Sequence, residues 1–312
     1  MAGIGVILNP HSRSNRHNPE RIRRLAFIVG DKGSCHATQD VFDVRTIAEG
    51  FAQRAIDVLC ISGGDGTIHH TLTAVINVYG SRPLPKIALL RGGTVNNVAG
   101  CLKIRGTPES ILSQLILQYH SDEPLRTIPL HCIAVEQRYG FLFGNGFVYN
   151  FIQDYISVGE GGTKNLLPLV VRMCCSGLFN REYMLQLNLR FDAEVIVDGK
   201  RWPFRNYSGI GIATVETCGM GFAPFFLARK ETGQCHVVGY SMTPRGVFLE
   251  AMRVWLKQIR PHADRCDATA REVVIRTRDP LPYTIDGELY PPTDALVIRC
   301  GPVLQIVHTQ VP

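Results

Sequence analysis

The sequence predicts an α/β domain followed by an all-β domain: an N-terminal doubly wound parallel sheet, then a C-terminal antiparallel β-sandwich. Three observations carry that expectation. Two short apolar runs, Val58 to Ile61 and Pro85 to Leu90, each stop at a glycine turn that opens a helical pattern. Apolar runs alternate with amphipathic stretches through the first part of the chain, as a parallel sheet with crossover helices requires. From about Leu125 the pattern changes to period-two and aromatic-rich runs. The expected domains are therefore residues 1–128 and 129–312, with the closing strands finishing the second domain or returning to the first.

In chain order, Gly5 to Leu8 reads as a first strand that delivers Asn9-Pro10-His11-Ser12 at its carboxyl end, where ligands bind in open α/β sheets. Asn15 to Leu25 carries Arg16, Arg21, Arg23 and Arg24, and passes from a loop into a helix whose charges read as a solvated face. A short strand precedes Ala37-Thr38-Gln39. Val41, Val44, Ile47, Ala48, Phe51 and Ala55 then mark an amphipathic helix. The strand at Val58 ends in Ser62-Gly63-Gly64-Asp65-Gly66-Thr67, and Ile68, Leu72, Val75, Ile76 and Tyr79 continue it as a helix. His69 and His70 lie about 100° apart on that helix and read as surface residues.

Glycines at a strand-to-helix turn let backbone N–H groups approach an anion, and the helix N-terminus adds positive potential. Asp65 is the odd member, since a carboxylate repels phosphate. It suits the turn if it holds a metal or accepts a hydrogen bond from the group being phosphorylated. The second turn, Arg91-Gly92-Gly93-Thr94-Val95-Asn96-Asn97, repeats the arrangement. Neither is a P-loop, because no Gly-Lys-Ser/Thr follows.

In the second half, the strand-like runs are Ile133 to Val135, Phe141 to Phe143, Met184 to Phe191, Glu194 to Val197 and Val273 to Arg276. Leu166 to Cys175 is an apolar stretch that reads as a packing helix or as the lining of a slot for acyl chains. Pro244 to Gln258 is a further helix. Asp286-Gly287 between apolar alternations is a strong hairpin signal.

Composition excludes several classes. Hydrophobic content of 45% and charged content of 19% over 312 residues describe a globular protein with room for two cores. No apolar run approaches the ~20 residues of a membrane span, and the start of the chain lacks the pattern of a signal peptide. The ten cysteines show no Cys-x-x-Cys spacing, so they are expected as small core residues in a reducing compartment. The net charge of +6 suits a phosphorylated ligand or an anionic surface, and no basic run interleaved with aromatics points to nucleic acid.

Taken together, the two glycine turns resemble the diacylglycerol kinase catalytic domain family, whose superfamily includes sphingosine kinases, bacterial lipid kinases, NAD kinases and phosphofructokinases. Gly63 to Thr67 resembles its nucleotide-binding signature. Asn9, Pro10 and Ser12 match its Asn-Pro-x-Ser-Gly, with Arg13 in place of the glycine. Thr38 falls where the family has a nucleotide-contacting threonine. Gly93, Thr94 and Asn96 match Gly-Thr-x-Asn-Asp, with Asn97 in place of the aspartate. Gly144 to Phe147 and Gly219 to Pro224 resemble its later motifs. Glu231-Thr232-Gly233-Gln234 stands where members often carry an Asp-Asp-Gly magnesium loop, so Glu231 and Asp65 are the metal candidates. Asp286-Gly287-Glu288 resembles the family's acidic pair and favours the lipid kinase branch.

The resemblance implies an ATP- and Mg2+-dependent kinase that transfers a γ-phosphate to diacylglycerol or a related lipid alcohol. The nucleotide is expected between the domains, on Asn9, Pro10, Ser12, Thr38, Gly63 to Thr67, Gly93, Thr94 and Asn96. Asp65, Asp286 and Glu288 are the expected catalytic carboxylates, with Glu288 preferred over Asp286 as proton acceptor. The alternatives are a sphingosine-like or NAD kinase, or a nucleotide-binding member without turnover, which Asn97, His69-His70 and the thinned loop at Glu231 would fit. The expected location is cytoplasmic, with peripheral contact at the inner membrane face, and a homodimer stays open.

Overall fold

A computed structural model describes residues 3–93, 95–121, 123–158, 172, 176, 181–219 and 221–309. The chain divides into two compact units. The first comprises residues 1–130, 137–139 and 303–312, and the second residues 131–136 and 140–302.

The first unit is a parallel sheet. Its strands are β1 (Ile4–Leu8), β2 (Gly33–Ala37), β3 (Val58–Ser62) and β4 (Lys86–Leu89). The end of the long last strand, β15 (Glu288–Val307), joins them through Ile306 beside Ile87. The order is β15-β4-β3-β1-β2, every neighbour parallel. β1 and β3 are buried at every residue, as expected of strands covered on both faces.

The covering helices pair off: α2 (Arg21–Val29) with α6 (Pro108–Tyr119), and α3 (Val41–Arg54) with α4 (Asp65–Tyr79). Local chemistry sets their ends. Asp40 caps α3 by accepting the Asp43 N–H at 2.9 Å, and Thr107 with Ser110 forms a capping box on α6. Two short helices, α1 (Arg13–Arg16) and α5 (Asn97–Cys101), follow the first and fourth strands.

The second unit is antiparallel. β14 (Glu272–Ile285) is its spine, pairing along its length with β15. Its first half also pairs with β8 (Phe191–Val197), its last residues with β7 (Leu142–Asn145). Between the halves the register slips at Arg276 to Tyr283, the irregularity that lets one strand serve two layers. Beyond β7 come β11 (Gly209–Ala213), β12 (Cys235–Tyr240) and β13 (Arg265–Ala270). Inward residues from both layers, among them Val195, Tyr207, Ile212, Val237, Val273 and Ile298, form one core, as a sandwich requires. The helices of this unit described over their full length are α7 (Phe147–Ser157), α8 (Arg181–Leu187) and α9 (Pro244–Trp255).

One strand expectation is corrected. Met184 to Leu187 lies in α8, and only Phe191 begins the strand. Leu185, Leu187, Leu189 and Phe191 alternate, but Tyr183, Met184 and Leu187 also share a helical face, and that face is the buried one. Met, Leu and Gln are strong helix formers, so local propensity favoured the helix. Leu166 to Cys175 lies outside the described residues apart from Arg172. The eight described cysteines are all free. Among the described residues no helix is long and apolar enough to cross a membrane.

Candidate active site

The carboxyl ends of β1, β3 and β4 bring three loops together in the first unit. The two glycine turns meet backbone to backbone. A Cβ on Gly93 would lie 2.3 Å from the Gly64 Cα, and one on Gly92 would lie 2.7 Å from the Gly63 nitrogen. Such an approach excludes any side chain at these positions. A Cβ on Gly63 would strike the Thr67 side chain at 2.4 Å. The glycines are therefore required by the packing of one turn on the other, before any ligand is considered.

Asp65 joins the turns. Its carboxylate accepts the Asn97 N–H at 3.1 Å and the Val98 N–H at 3.5 Å, the first amides of α5. This is a third use for the acid, beyond the two foreseen: it takes the anion position of α5. Burial pushes the Asp65 carboxyl above the usual carboxylate range, and the main-chain N–H bonds partly oppose that rise. At the start of α4 the N-cap residue is a glycine, Gly64, which supplies no side-chain cap, and the N–H groups of an uncapped first turn are suited to an anion.

The first loop locks onto the same place. Asn9 donates to the Thr67 Oγ1 at 3.0 Å, and the Ser12 hydroxyl donates to the Asn9 and Gly92 carbonyls, both at 3.0 Å. Pro10 continues this loop between them. Thr38, at the end of β2, is buried; its N–H reaches the Leu8 carbonyl at 2.9 Å. Asn96 sits at φ 49° and bonds both ways to Gly93, accepting its N–H at 3.0 Å and donating to its carbonyl at 2.8 Å. Thr94 lies outside the described residues.

Sequence reasoning missed the hub beneath these loops. Asn15, 3% exposed, donates to the Asn9 carbonyl at 2.8 Å and the Ser62 carbonyl at 3.0 Å. Its own Oδ1 accepts from Arg21 at 3.1 Å. Arg21 is buried too, reaching the Ser14 carbonyl and pairing with Glu109 at 2.9 Å. The expected solvated face is corrected for this arginine, because the fold presses that one position of α2 against α1 and α6. A basic run gives no sign of which member is buried. Arg91 also went unassigned. It sits in the left-handed region at φ 51°, and its buried Nε has no partner among the described residues.

His69 is a second correction. It is fully buried, and its Nδ1 lies 2.8 Å from the Tyr139 carbonyl. Thr73 and Asn77, one and two turns along α4, hold Tyr139 and Gln137 in the same way. A hairpin tip, residues 137–139, thus docks on one helix face, a contact no local pattern reveals.

The remaining candidates lie in the second unit. Asp286 and Gly287, at φ 51° and 89°, form the two-residue turn between β14 and β15. The Asp286 carboxylate accepts N–H groups of Phe141 at 3.0 Å and Leu142 at 2.9 Å. That bonding fixes the turn and gives Asp286 a structural task. Glu288 opens β15, half-buried. Glu231 is exposed and bonds Gln234 at 2.5 Å. Among the described residues no group of three His, Cys, Asp or Glu side chains is arranged to hold a metal ion. Glu231 therefore lacks the companions a protein-built site needs. A magnesium ion carried by phosphates would need only one or two protein carboxylates, a demand that Asp65 could meet.

Residues 3–123 fit the family model of the diacylglycerol kinase catalytic domain. Diacylglycerol kinases of Staphylococcus aureus strains bovine RF122 / ET3-1 and MRSA252 are 32% identical over 122 residues, 37% of this chain. The matched stretch spans 36% of the length of those relatives. A crystal structure from Bacillus anthracis str. Sterne, proposed to be a diacylglycerol kinase, superposes with a TM-score of 0.74 at 17% identity, covering 98% of this chain and 97% of its own. The crystal structure of a diacylglycerol kinase from the same strain gives 0.68 at 15%, with the same coverage. At those identities the likeness establishes the fold.

Proposed function

We propose that the chain, whose residues 3–123 match the family model of the diacylglycerol kinase catalytic domain, is an ATP-dependent lipid kinase acting on the hydroxyl of diacylglycerol or a related lipid alcohol. One observation carries the reading: two glycine turns packed face to face, with Asp65 bonding the first amides of α5 and a glycine at the N-cap of α4.

In this reading the N–H groups at the start of α4 hold the nucleotide phosphates. Asn9, Ser12 and Asn96 set the loops around them, and Arg91 adds positive charge. Asp65 keeps lone pairs beyond those given to α5, and these face metal or acceptor hydroxyl. Magnesium, carried in on the phosphates, would neutralise charge developing on the transferred group. The acceptor oxygen bonds to the γ-phosphorus as the bond to the β-bridging oxygen breaks. Glu288 is assigned the hydroxyl proton, a role worth ~10²–10⁴-fold. Asp286, spent on the Phe141 and Leu142 N–H groups, holds the turn that presents Glu288.

Labelled ATP offered with diacylglycerol, sphingosine and NAD tests this. Label should appear on the lipid alcohol and fall by about 10²-fold or more in Asp65→Asn. An Asp65→Asn protein with full turnover, or label on NAD alone, sinks the assignment. A second reading, a nucleotide-binding protein without turnover, is favoured by Asn97, whose amide stands where a second carboxylate would serve a metal. It prevails if ATP binds and no acceptor is labelled.

A further inference from the structure

The outward face of α9 is wrong for water. Its inner face buries Val247, Phe248 and Val254, and its one acid, Glu250, turns inward to meet buried Arg265 at 2.6 Å. Outward stand Leu249 at 43% and Leu256 at 54% exposure, two helical turns apart, with Trp255 at 58% at the helix end. A surface helix places polar residues there. The charged residues that face out are all cationic, Arg245, Arg253, Lys257 and Arg260, with the neutral Gln258 exposed beside them. Over residues 244–260 four cations are exposed, and the only carboxylate, Glu250, is buried and shared between Arg265 and the inner side of Arg253, so the outer face carries no negative charge. Single exposed leucines are ordinary. Two aligned leucines with a tryptophan at the helix end, charged only by cations, form the pattern of a helix lying in a bilayer interface. The neighbouring helix α8 continues it with exposed Leu185, and Leu189 and Arg190 follow that helix.

We infer that the outer face of α9 docks the chain on a membrane of anionic phospholipid, its leucines and Trp255 entering the interface and its cations meeting headgroup phosphates. This adds a partner to the lipid kinase reading and rests on it for its purpose, although docking itself needs no turnover. A second copy of the chain is the competing occupant, but two such faces would set like charges against each other.

The test uses the full chain with phosphatidylcholine vesicles, with and without phosphatidylglycerol, and no ATP. The protein should sediment with the phosphatidylglycerol vesicles, and rising salt should release it. Trp255 emission should shift to the blue, a shift absent from Trp255→Phe, which retains only Trp202. Leu249→Glu with Leu256→Glu should lower partitioning roughly tenfold or more, with an unchanged melting temperature. Lys257→Glu with Arg260→Glu should lower it on anionic vesicles only. Asp65→Asn should bind vesicles as wild type does, which separates a failure of docking from a failure of the catalytic reading. Absence of sedimentation with phosphatidylglycerol, undiminished binding by the double leucine variant, or a wild-type dimer that this variant splits would each overturn the proposal.

Discussion

Asn15 shows how one side chain holds a site it was never suspected of serving. Its amide satisfies two strand-end carbonyls and orients Arg21. Asn15→Ala leaves those buried groups unpaired and should cost about 1–3 kcal/mol. Denaturant titration measures the loss, and ATP affinity should fall with it because the Asn9 loop is released. Gly93→Ala probes the contact between the turns. Its Cβ would enter the Gly64 backbone at 2.3 Å, and overpacking of that kind costs about 1–3 kcal/mol. Nucleotide titration should show binding lost while circular dichroism still reports the fold. Asp65 works against stability, since its folded-state pKa is raised. That sign means the ionised acid costs free energy above the usual carboxylate range and is relieved as pH falls. Asp65→Asn should therefore melt at or above the wild-type temperature at neutral pH while losing turnover, an exchange common at functional sites.

At the scale of elements, α4 serves two contacts along its length. Its first turn is the proposed phosphate position, and His69, Thr73 and Asn77 grip the 137–139 tip. Thr73→Val removes the acceptor for the Tyr139 N–H. Hydrogen exchange at that amide should accelerate, and exchange at Leu59 in the adjacent strand should stay as it is. Equal protection at Tyr139 in both proteins would show that the tip is held by other means.

For the whole molecule, acid is the discriminating variable. Burial alone would raise Glu109 and Asp267, but Arg21 in one case, and His236 with Arg265 in the other, hold both below the usual carboxylate range. A depressed folded pKa contributes stability above the unfolded carboxylate value, near ~4, and loses it as pH falls through the folded value. Melting temperature should accordingly drop from neutral pH into the acid range. In Glu109→Gln the drop should be shallower, from a lower starting point. A flat profile would show that neither pair matters to the fold.

The linear order of residues by itself determined the parallel first unit, the change of pattern near Leu125, both glycine turns and the hairpin at Asp286. Each of these is a local property, since apolar period, turn chemistry and glycine conformation act over a few residues. Tertiary structure alone decided that Asp65 bonds α5, that Arg21 and His69 are buried, that Asn15 is a hub, and that Met184 to Leu187 is a helix. Those outcomes depend on partners 32 to 88 positions distant or on which face a neighbour covers. A pattern that repeats every two to four residues contains no information at that range.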